Sequence, residues 1–413
     1  MMIARRPLPL ALWSAIGLCL CLSAGIAHAD LSPYALSLSE TLSHQSNVFP
    51  GAALRGSESR SDWISSTELL GQFDQTFGRD RVQLAAAWDL NRYRQNRALD
   101  HDGYRASGEV DWSIVGDLSG AFGADSSARL YRYGLEGEQL SSAARNIETT
   151  NHVFSRAQLG GNGLWTLLAG FEGVQLNYSD TAFAPNEQRQ WSLDGGARYQ
   201  AGPDLSATTT VRYTRGRYPY FASPLGADDY TLRTVEEAAR WQAGSASVLD
   251  MTLGRTRERH DILPSRDYWN GQVRWTWAPP THLRLVLELG RDAGSTDNSP
   301  VASLSAPASV TSRSLNNRAH ANLGWELSSK ISASAALQFV ERRYADIAVG
   351  SGTTSGSNRT HSLTLALRYQ PTQAVGLGCG ASREVRTTDA VLASLLPAYA
   401  TNTVYCSGQL SIR

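Results

Sequence analysis

The stretch GQVRWTWAPPTHLRLVLELGR, residues 271 to 291, carries two alternating patterns, one on each side of a Pro-Pro pair. Before the prolines, Val273, Trp275 and Trp277 occupy every second position, and after them leucines at 283, 285, 287 and 289 do the same. Successive side chains of a β-strand point to opposite faces, so each half predicts a strand with one apolar and one polar face. Proline donates no backbone hydrogen bond, which suits a tight turn between the halves. The stretch therefore predicts a β-hairpin.

Runs of about ten residues with the same alternation recur along the chain. In residues 81 to 91, Val82, Leu84 and Trp88 share one face, whereas Arg81 and Asp89 lie on the other. Similar runs occupy residues 104–114, 191–199, 205–213, 319–327, 331–339 and 363–369. Tandem soluble β-sandwiches would alternate as well, so the pattern alone does not decide the class of fold.

The connections between these runs are alternately short and long. Short turns are expected near residues 78–80, 116–117, 161–163, 202–204, 244–245, 279–281, 328–330 and 371–373. Longer polar stretches lie near residues 50–61, 94–102, 135–147, 179–188, 217–228, 258–266, 292–311, 346–357 and 387–400. This order predicts an all-β fold, a closed antiparallel transmembrane β-barrel of about 18 strands with short periplasmic turns and long extracellular loops.

The physics of a membrane favours the same architecture. Hydrocarbon offers no hydrogen-bonding partner to the backbone, and a closed barrel satisfies the backbone without leaving a sheet edge. Trp277, Trp325, Tyr199 and Tyr369 occupy the apolar parity next to short turns, where an interfacial aromatic girdle lies. The sequence therefore predicts an integral protein of the bacterial outer membrane, and a barrel of this width holds water in its lumen.

Residues 1 to 29 have the features of a secretory signal peptide. Arg5 and Arg6 precede an apolar run, and Ala27-His28-Ala29 forms a cleavage site before Asp30. An uncleaved membrane anchor is the alternative, although the run is short for a span. Residues 30 to 413 have a uniform texture without a linker, so we expect a single barrel domain.

Charge and motifs argue against several classes of function. Lys+Arg and Asp+Glu number 38 each, so no net charge favours a nucleic-acid partner. The histidines that follow the signal lack metal-ligand spacing, and we expect neither a metal nor a cofactor. His44, Ser46 and Asn47 resemble the His-x-Ser-Asn-Gly segment of outer-membrane phospholipases. Val48 replaces the glycine of that segment and the phospholipase barrel is smaller, so we expect no enzyme.

Short motifs in the first part of the chain follow one another in a recognisable order. They are LSETLSHQSNVFP (residues 38–50), Ser61-Asp62, Phe77-Gly78-Arg79-Asp80-Arg81, Asn91-Arg92-Tyr93, Asn96, Leu99-Asp100, Tyr104 and Asp111-Trp112. Over residues 34 to 120 this set resembles the EpsL-type outer-membrane barrels, which belong to a wider group of β-barrel porins and are associated with exopolysaccharide biosynthesis and export. The resemblance implies a conduit for a polysaccharide cargo, working with a periplasmic polysaccharide export protein and an inner-membrane copolymerase.

If the apolar faces look outward, the charged side chains of the other parity line the pore. The predicted lining comprises Arg81, Asp89, Arg105, Glu109, Asp111, Asp194, Arg198, Arg212, Arg274, Arg284, Glu288, Arg318, Glu326 and Arg368. Arginine forks on such a slightly cationic wall would bind the carboxylates of an anionic glycan weakly and at many sites. The alternative is that arginines and acids pair across strands and hold the wall together.

One long connection brings aromatic and guanidinium groups together at the predicted extracellular mouth. It contains Arg215, Arg217, Tyr218, Tyr220 and Phe221. These side chains would contact either sugar rings that pass the mouth or the aromatic girdle and lipopolysaccharide around it.

Cys379 and Cys406 fall on the apolar parity of the last two strands, and the hairpin between them would bring them opposite each other. The export route is oxidising. The two cysteines therefore form either a disulfide or a pair of free, lipid-facing thiols.

The sequence as a whole predicts a passive conduit for exopolysaccharide export. The alternative is a general or substrate-specific uptake porin for small solutes or oligosaccharides, and a barrel enzyme or an adhesin-like surface protein is the third candidate. An uptake porin usually folds a long loop into its lumen, for which residues 292–311 are the best candidate, whereas a conduit should lack such a constriction. Membrane lipid and lipopolysaccharide are expected partners.

Overall fold

The hairpin of residues 271–291 forms as predicted. In the computed structural model, β12 (Arg266–Trp277) pairs antiparallel with β13 (Leu283–Ser303). The apolar pairs are Val273 with Leu289, Trp275 with Leu287 and Trp277 with Leu285, and a polar pair is Arg274 with Glu288. Tryptophans and leucines share one face of the hairpin, and the charged residues share the other.

Eighteen antiparallel strands form one closed barrel, so the predicted fold class is confirmed. The other strands are β1 (Tyr34–Gln45), β2 (Asp62–Phe77), β3 (Asp80–Tyr93), β4 (His101–Ile114), β5 (Leu118–Leu130), β6 (Ile147–Leu159), β7 (Trp165–Tyr178), β8 (Gln188–Gln200), β9 (Leu205–Ala222), β10 (Gly226–Ala243), β11 (Ser247–His260), β14 (Ala306–Glu326), β15 (Ile331–Val349), β16 (Gly352–Tyr369), β17 (Val375–Thr388) and β18 (Tyr399–Ile412). Each strand pairs with its neighbours in the chain, and β1 also pairs with β18, from Leu36 opposite Ile412 to Gln45 opposite Thr403. Closure leaves no edge strand to aggregate or to meet hydrocarbon.

The structure describes residues 32–49, 59–114, 117–131, 145–160, 163–222, 226–262, 264–303, 306–349, 352–393 and 397–412. The predicted signal peptide, residues 1–29, lies outside them. Two 3-10 helices, Arg97–Leu99 and Thr181–Asn186, lie between strands. Among the described residues no helix is long and apolar enough to cross a membrane.

The outer face of the barrel carries an apolar band whose side chains remain exposed in the isolated chain. Leu84, Val211 and Leu253 belong to this band and are all at least half exposed. Tyr199 and Trp325 border it on the side of the short turns. An exposed apolar belt with aromatic edges is the surface that lipid covers. The protein is therefore an integral outer-membrane barrel.

The connections on one side are short, as predicted, and several of those on the other side are shorter than predicted. Gly78 and Gly244 occupy two periplasmic turns with φ of 66° and 72°, a conformation that strains any residue with a Cβ. Residues predicted as long loops at 217–228, 292–311 and 346–357 lie largely within β9, β10 and β13 to β16, whereas the predicted loop 258–266 includes the connection between β11 and β12. Beyond the membrane both faces of a strand can be polar, so the apolar alternation that marks a strand disappears while the pairing continues.

Candidate transport path

Every predicted pore-lining residue lies on the polar face of its strand, opposite the exposed apolar band. Arg81 lies across from Asp111, Asp194 across from Arg212, and Arg368 across from Ser332. Directly opposite residues of antiparallel strands share a face, and this parity is maintained around the closed barrel. The register thus brings the predicted set together on one surface that faces the lumen.

Many arginines of this inner surface contact carboxylates from an adjacent strand or, for Arg105, from the next strand but one. The pairs are Arg81 with Asp74, Arg105 with Glu68, Arg129 with Glu148, Arg212 with Asp194, Arg240 with Asp250, Arg266 with Glu258, and Arg318 with Asp292. Arg198 and Arg368 instead donate to the side-chain oxygens of Gln158 and Gln409, at 3.4 and 3.3 Å. Cross-strand pairing therefore occupies guanidinium groups that an anionic cargo would need.

The expected slightly cationic wall is not observed in the strands that the structure describes. The register adds these acids to the inner surface: Asp62, Glu68, Asp74, Asp125, Glu148, Glu172, Glu236, Asp250, Glu258 and Asp292. The acids of β2 are hard to assign from the sequence because the alternation of this strand is irregular. Ile64 and Leu70 lie on the inner face with the acids, whereas Ser65 and Thr67 lie on the outer face. Carboxylates on the described inner wall are thus at least as numerous as arginines.

The predicted mouth residues do not form a loop, because they lie within β9. Arg215 and Arg217 are exposed on the outer face, whereas Tyr218 and Phe221 are buried, with 4% and 2% of their surface exposed. Tyr220 is 60% exposed. Strand pairing with β10 continues to Ala222 opposite Gly226, with an irregularity between Gly226 and Asp228. Period-two parity separates Arg217 from Tyr218, but it does not extend through the irregular end of the strand, where Phe221 is buried and Tyr220 exposed.

A buried polar network lies on the inner side of this mouth. His260 Nδ1 is 2.6 Å from Asp228 Oδ2, and its Nε2 is 2.6 Å from Glu258 Oε1. Arg266 Nε donates to Glu258 Oε2 at 2.6 Å, and the Ile262 amide donates to Asp228 Oδ1 at 3.1 Å. In its charged form the His260 ring donates from both nitrogens, so each carboxylate accepts at least two hydrogen bonds, which offsets the cost of burying it. The network was not predicted from the sequence, because the register of strand pairing brings its members together.

The 3-10 helix Thr181–Asn186, here called the mouth helix, reaches over the lumen. It joins β7 to β8, yet it contacts β13 as well as β7 and β9. Four strands separate β8 from β13 in the barrel, so the two lie roughly 25 Å apart along the wall. The contact therefore requires that the mouth helix and the outer part of β13 together bridge part of the opening. Phe183, which packs edge-on against Tyr131 and within 5.8 Å of Tyr178, holds the helix to the mouth.

Residues 292–311, the predicted inward loop, are mostly strand residues rather than a loop. They form the outer parts of the paired strands β13 and β14, up to Ser303 opposite Ala306. The mouth helix contacts β13, so residues 181–186 of a different connection take part in the constriction together with β13. Phe183, the single aromatic residue of that polar connection, is the signal in the sequence that points to this contact.

A cavity of about 280 Å³ opens in the inner wall across β7 to β12. Hydroxyl groups dominate its lining, with Ser192 paired to Thr214 at 2.8 Å and Thr234 paired to Thr256 at 2.9 Å. The Oδ1 atom of Asn270, which also lines the cavity, is buried without a hydrogen-bond partner among the described residues. Hydroxyls both donate and accept hydrogen bonds, and Glu172, Arg212 and Glu236 also line the cavity, so this part of the wall suits polar solutes.

The motif residues of the EpsL resemblance have structural contacts at the mouth. Asp62 accepts hydrogen bonds from the backbone amides of Trp63, Gln95 and Asn96, at 2.8 to 3.0 Å. Asp100 accepts one from the Tyr93 amide at 2.7 Å. Each carboxylate fixes backbone donors that would otherwise be unsatisfied at a bend. These residues shape the first two extracellular connections.

The remaining candidates have simpler surroundings. Cys379 and Cys406 lie opposite each other and are joined by a disulfide, with their Cα atoms 4.1 Å apart. His44 packs against Trp63 on the outer face, and Ser46 Oγ accepts a hydrogen bond from the Asn402 amide at 2.8 Å. Within the described ranges no group of three His, Cys, Asp or Glu side chains has the arrangement of a metal site.

Comparisons with known proteins give similarity of structure only. No family model and no curated protein matches the chain. Among solved structures, Pseudomonas aeruginosa OpdK with vanillate is 12% identical over 92% of this chain and 99% of its own, with a TM-score of 0.47. OpdO of the same organism is 12% identical over 92% and 96%, with a TM-score of 0.46. A mutant of its ferric enterobactin receptor PfeA is 10% identical over 92% and 81%, with a TM-score of 0.47. Similarity at this level carries no conclusion about a ligand.

Proposed function

We propose that the protein is a passive outer-membrane channel for the uptake of small polar solutes. The observation that carries the proposal is the mouth helix, which contacts the walls at β9 and β13 and so narrows the opening. A wide, unobstructed lumen suits a polymer in transit, whereas an inward constriction selects solutes by size.

The chemistry of the wall supports a small, polar solute rather than a particular charge. Ion pairs such as Arg81 with Asp74 neutralise one another on the inner face. Half-buried hydroxyl groups of the cavity wall, such as those of Thr210 and Thr234, offer weak and exchangeable hydrogen bonds. Conduction requires weak binding at several sites, because a solute must leave as readily as it enters.

The size limit set by the mouth helix is measurable by swelling of proteoliposomes in sugars of increasing length. The wild-type channel is expected to admit monosaccharides and to exclude long oligosaccharides. Phe183→Ala removes the ring that packs against Tyr131 and Tyr178, so it should admit longer sugars and raise the single-channel conductance. Tyr220→Ala removes an exposed aromatic residue at the same end of the barrel and should change neither property.

Free passage of long polysaccharide through the wild-type channel would contradict the uptake proposal. The proposal would also be contradicted if two variants both kept the size limit of the wild type. These are Phe183→Ala and a variant in which a flexible linker replaces residues 181–186.

Exopolysaccharide export is the second candidate, favoured by the EpsL resemblance over residues 34–120. In that function the mouth helix must move aside for the cargo, and a periplasmic polysaccharide export protein and an inner-membrane copolymerase would be partners. Deleting the gene should then lower secreted polysaccharide and raise periplasmic polysaccharide. Normal secretion in the deletion strain would leave uptake as the function.

A further inference from the structure

Arginines gather on the outer face of β8 to β11, near the extracellular end of these strands. The outer arginine patch, as defined here, consists of Arg189, Arg215, Arg217, Arg233, Arg257 and Arg259. All of them are exposed, and they share the parity of Leu193, Val211 and Leu253, which belong to the lipid-facing band. The patch is therefore on the outside of the barrel and apart from the transport path.

The strand register places like charges directly opposite each other in this patch. Arg189 of β8 lies across from Arg217 of β9, and Arg233 of β10 lies across from Arg257 of β11. No other arginine lies opposite an arginine in the strand pairings that the structure describes. Directly opposed like charges destabilise a sheet, and an anion bound between them reverses the effect.

The protein's own carboxylates compensate only part of this charge. Asp229 lies 3.7 Å from Arg217, and Asp267 lies 3.9 Å from Arg257. Arg189, Arg215, Arg233 and Arg259 have no carboxylate within ion-pair distance among the described residues. The patch thus keeps a positive excess that an external anion can neutralise.

Aromatic residues fix the height of the patch relative to the membrane. Trp191 lies across from Arg215, Tyr213 across from Arg233, and Trp269 across from Arg255. Aromatic girdles mark the boundary between hydrocarbon and headgroups. The arginines begin at this boundary and continue away from the apolar band, at the level where the headgroups of the outer leaflet lie.

We propose that the outer arginine patch binds the phosphate groups of an anionic glycolipid in the outer leaflet, which in this membrane is lipopolysaccharide. Guanidinium forks match phosphate oxygens in a bidentate manner, and the exposed side chains of Val211 and Leu253 provide the apolar surface for the acyl chains beneath them. The site orients the barrel in its membrane and is independent of which solute the channel conducts.

The test measures the lipid retained by the purified barrel after reconstitution in vesicles that contain bisphosphorylated lipid A. The quadruple variant Arg189→Gln, Arg215→Gln, Arg233→Gln, Arg259→Gln removes the arginines without carboxylate partners, and retention should fall at least about tenfold. The matched control, Arg343→Gln with Arg359→Gln, alters two outer-face arginines that share the Glu341 carboxylate, and its retention should stay at the wild-type level. Heat-modifiable mobility and sugar uptake show that each variant is folded.

Three results would overturn the proposal. If the wild type and the folded quadruple variant retained equal amounts of lipid A, the patch would not be the binding site. If the wild type retained dephosphorylated lipid A as well as bisphosphorylated lipid A, phosphate would not be the ligand. If millimolar inorganic phosphate displaced the lipid completely, the site would bind a soluble anion instead. A control variant that loses as much lipid as the quadruple variant would show general electrostatic attraction instead of a site.

Discussion

The two faces of β10 and β11 carry similar numbers of charged residues, but the charges have opposite surroundings on the two faces. On the inner face, Asp228, Glu258 and His260 are buried and hydrogen-bonded to one another. On the outer face, Arg233 and Arg259 are exposed and have no carboxylate partner among the described residues. Sequence neighbours such as Asp228 and Asp229 thus belong to different environments, because a strand sends alternate side chains to opposite faces.

The difference follows from what each face can obtain from its surroundings. A buried carboxylate must find its partners within the protein, because removing it from water costs several kcal/mol. An outer-face arginine at headgroup level can take its partner from the lipid. The formal net charge of zero therefore conceals an inner wall with many acids and an outer rim with excess arginine.

The largest expected effect comes from moving the outer charge into the apolar band. Met251 lies on the outer face of β11, between Leu249 and Leu253, and two rows from Arg255. Met251→Arg should lower the free energy of unfolding in phosphocholine vesicles by about 2 to 4 kcal/mol, because it exposes a cation near the middle of the bilayer. Urea titration followed by tryptophan fluorescence measures the change.

The adjacent residue provides the control, because Thr252 points to the lumen. Thr252→Arg places the same charge in water and should change the free energy of unfolding by less than about 1 kcal/mol. Equal losses in the two variants would contradict the assignment of inner and outer faces.

A smaller loss is expected from the buried network at the mouth. Asp228→Asn weakens the hydrogen bonds to His260 and to the Ile262 amide, so it should lower the free energy of unfolding by about 2 to 3 kcal/mol. Asp229→Asn changes the next residue, whose side chain is half-exposed and 3.7 Å from Arg217, and should cost less than about 1 kcal/mol. If the two substitutions lowered the free energy of unfolding equally, the difference in burial between Asp228 on the inner face and Asp229 on the outer face would have no energetic effect.

The sequence predicts the membrane-spanning part well because two solvents act on every strand there. Val273, Trp275 and Trp277 must alternate with polar residues, and the resulting pattern gives the hairpin and its register. The same parity placed Cys379 across from Cys406.

Beyond the bilayer that constraint ends, and so does the predictive signal. Tyr218 and Arg217 look like loop residues because nothing in a polar, paired strand extension distinguishes it from a loop. The mouth helix was missed for a different reason, since its contact with β13 joins segments far apart in the chain and depends on the closed barrel. The acids of β2 were missed because its alternation is irregular, with Leu70 on the inner face.

The smallest expected effect concerns the ion preference of the lumen, measured as a reversal potential across planar bilayers in a KCl gradient. The described inner wall has at least as many carboxylates as arginines, so the wild-type channel should prefer cations weakly. Arg274 and Arg284 face the lumen without an ion pair among the described residues, so Arg274→Gln with Arg284→Gln should strengthen that preference. The control Asp74→Asn with Arg81→Gln removes both members of one ion pair and should leave the reversal potential unchanged, because the net charge of the wall stays constant. An anion-selective wild-type channel would contradict this balance and would favour a wall whose unpaired arginines, rather than its carboxylates, set the field along the path.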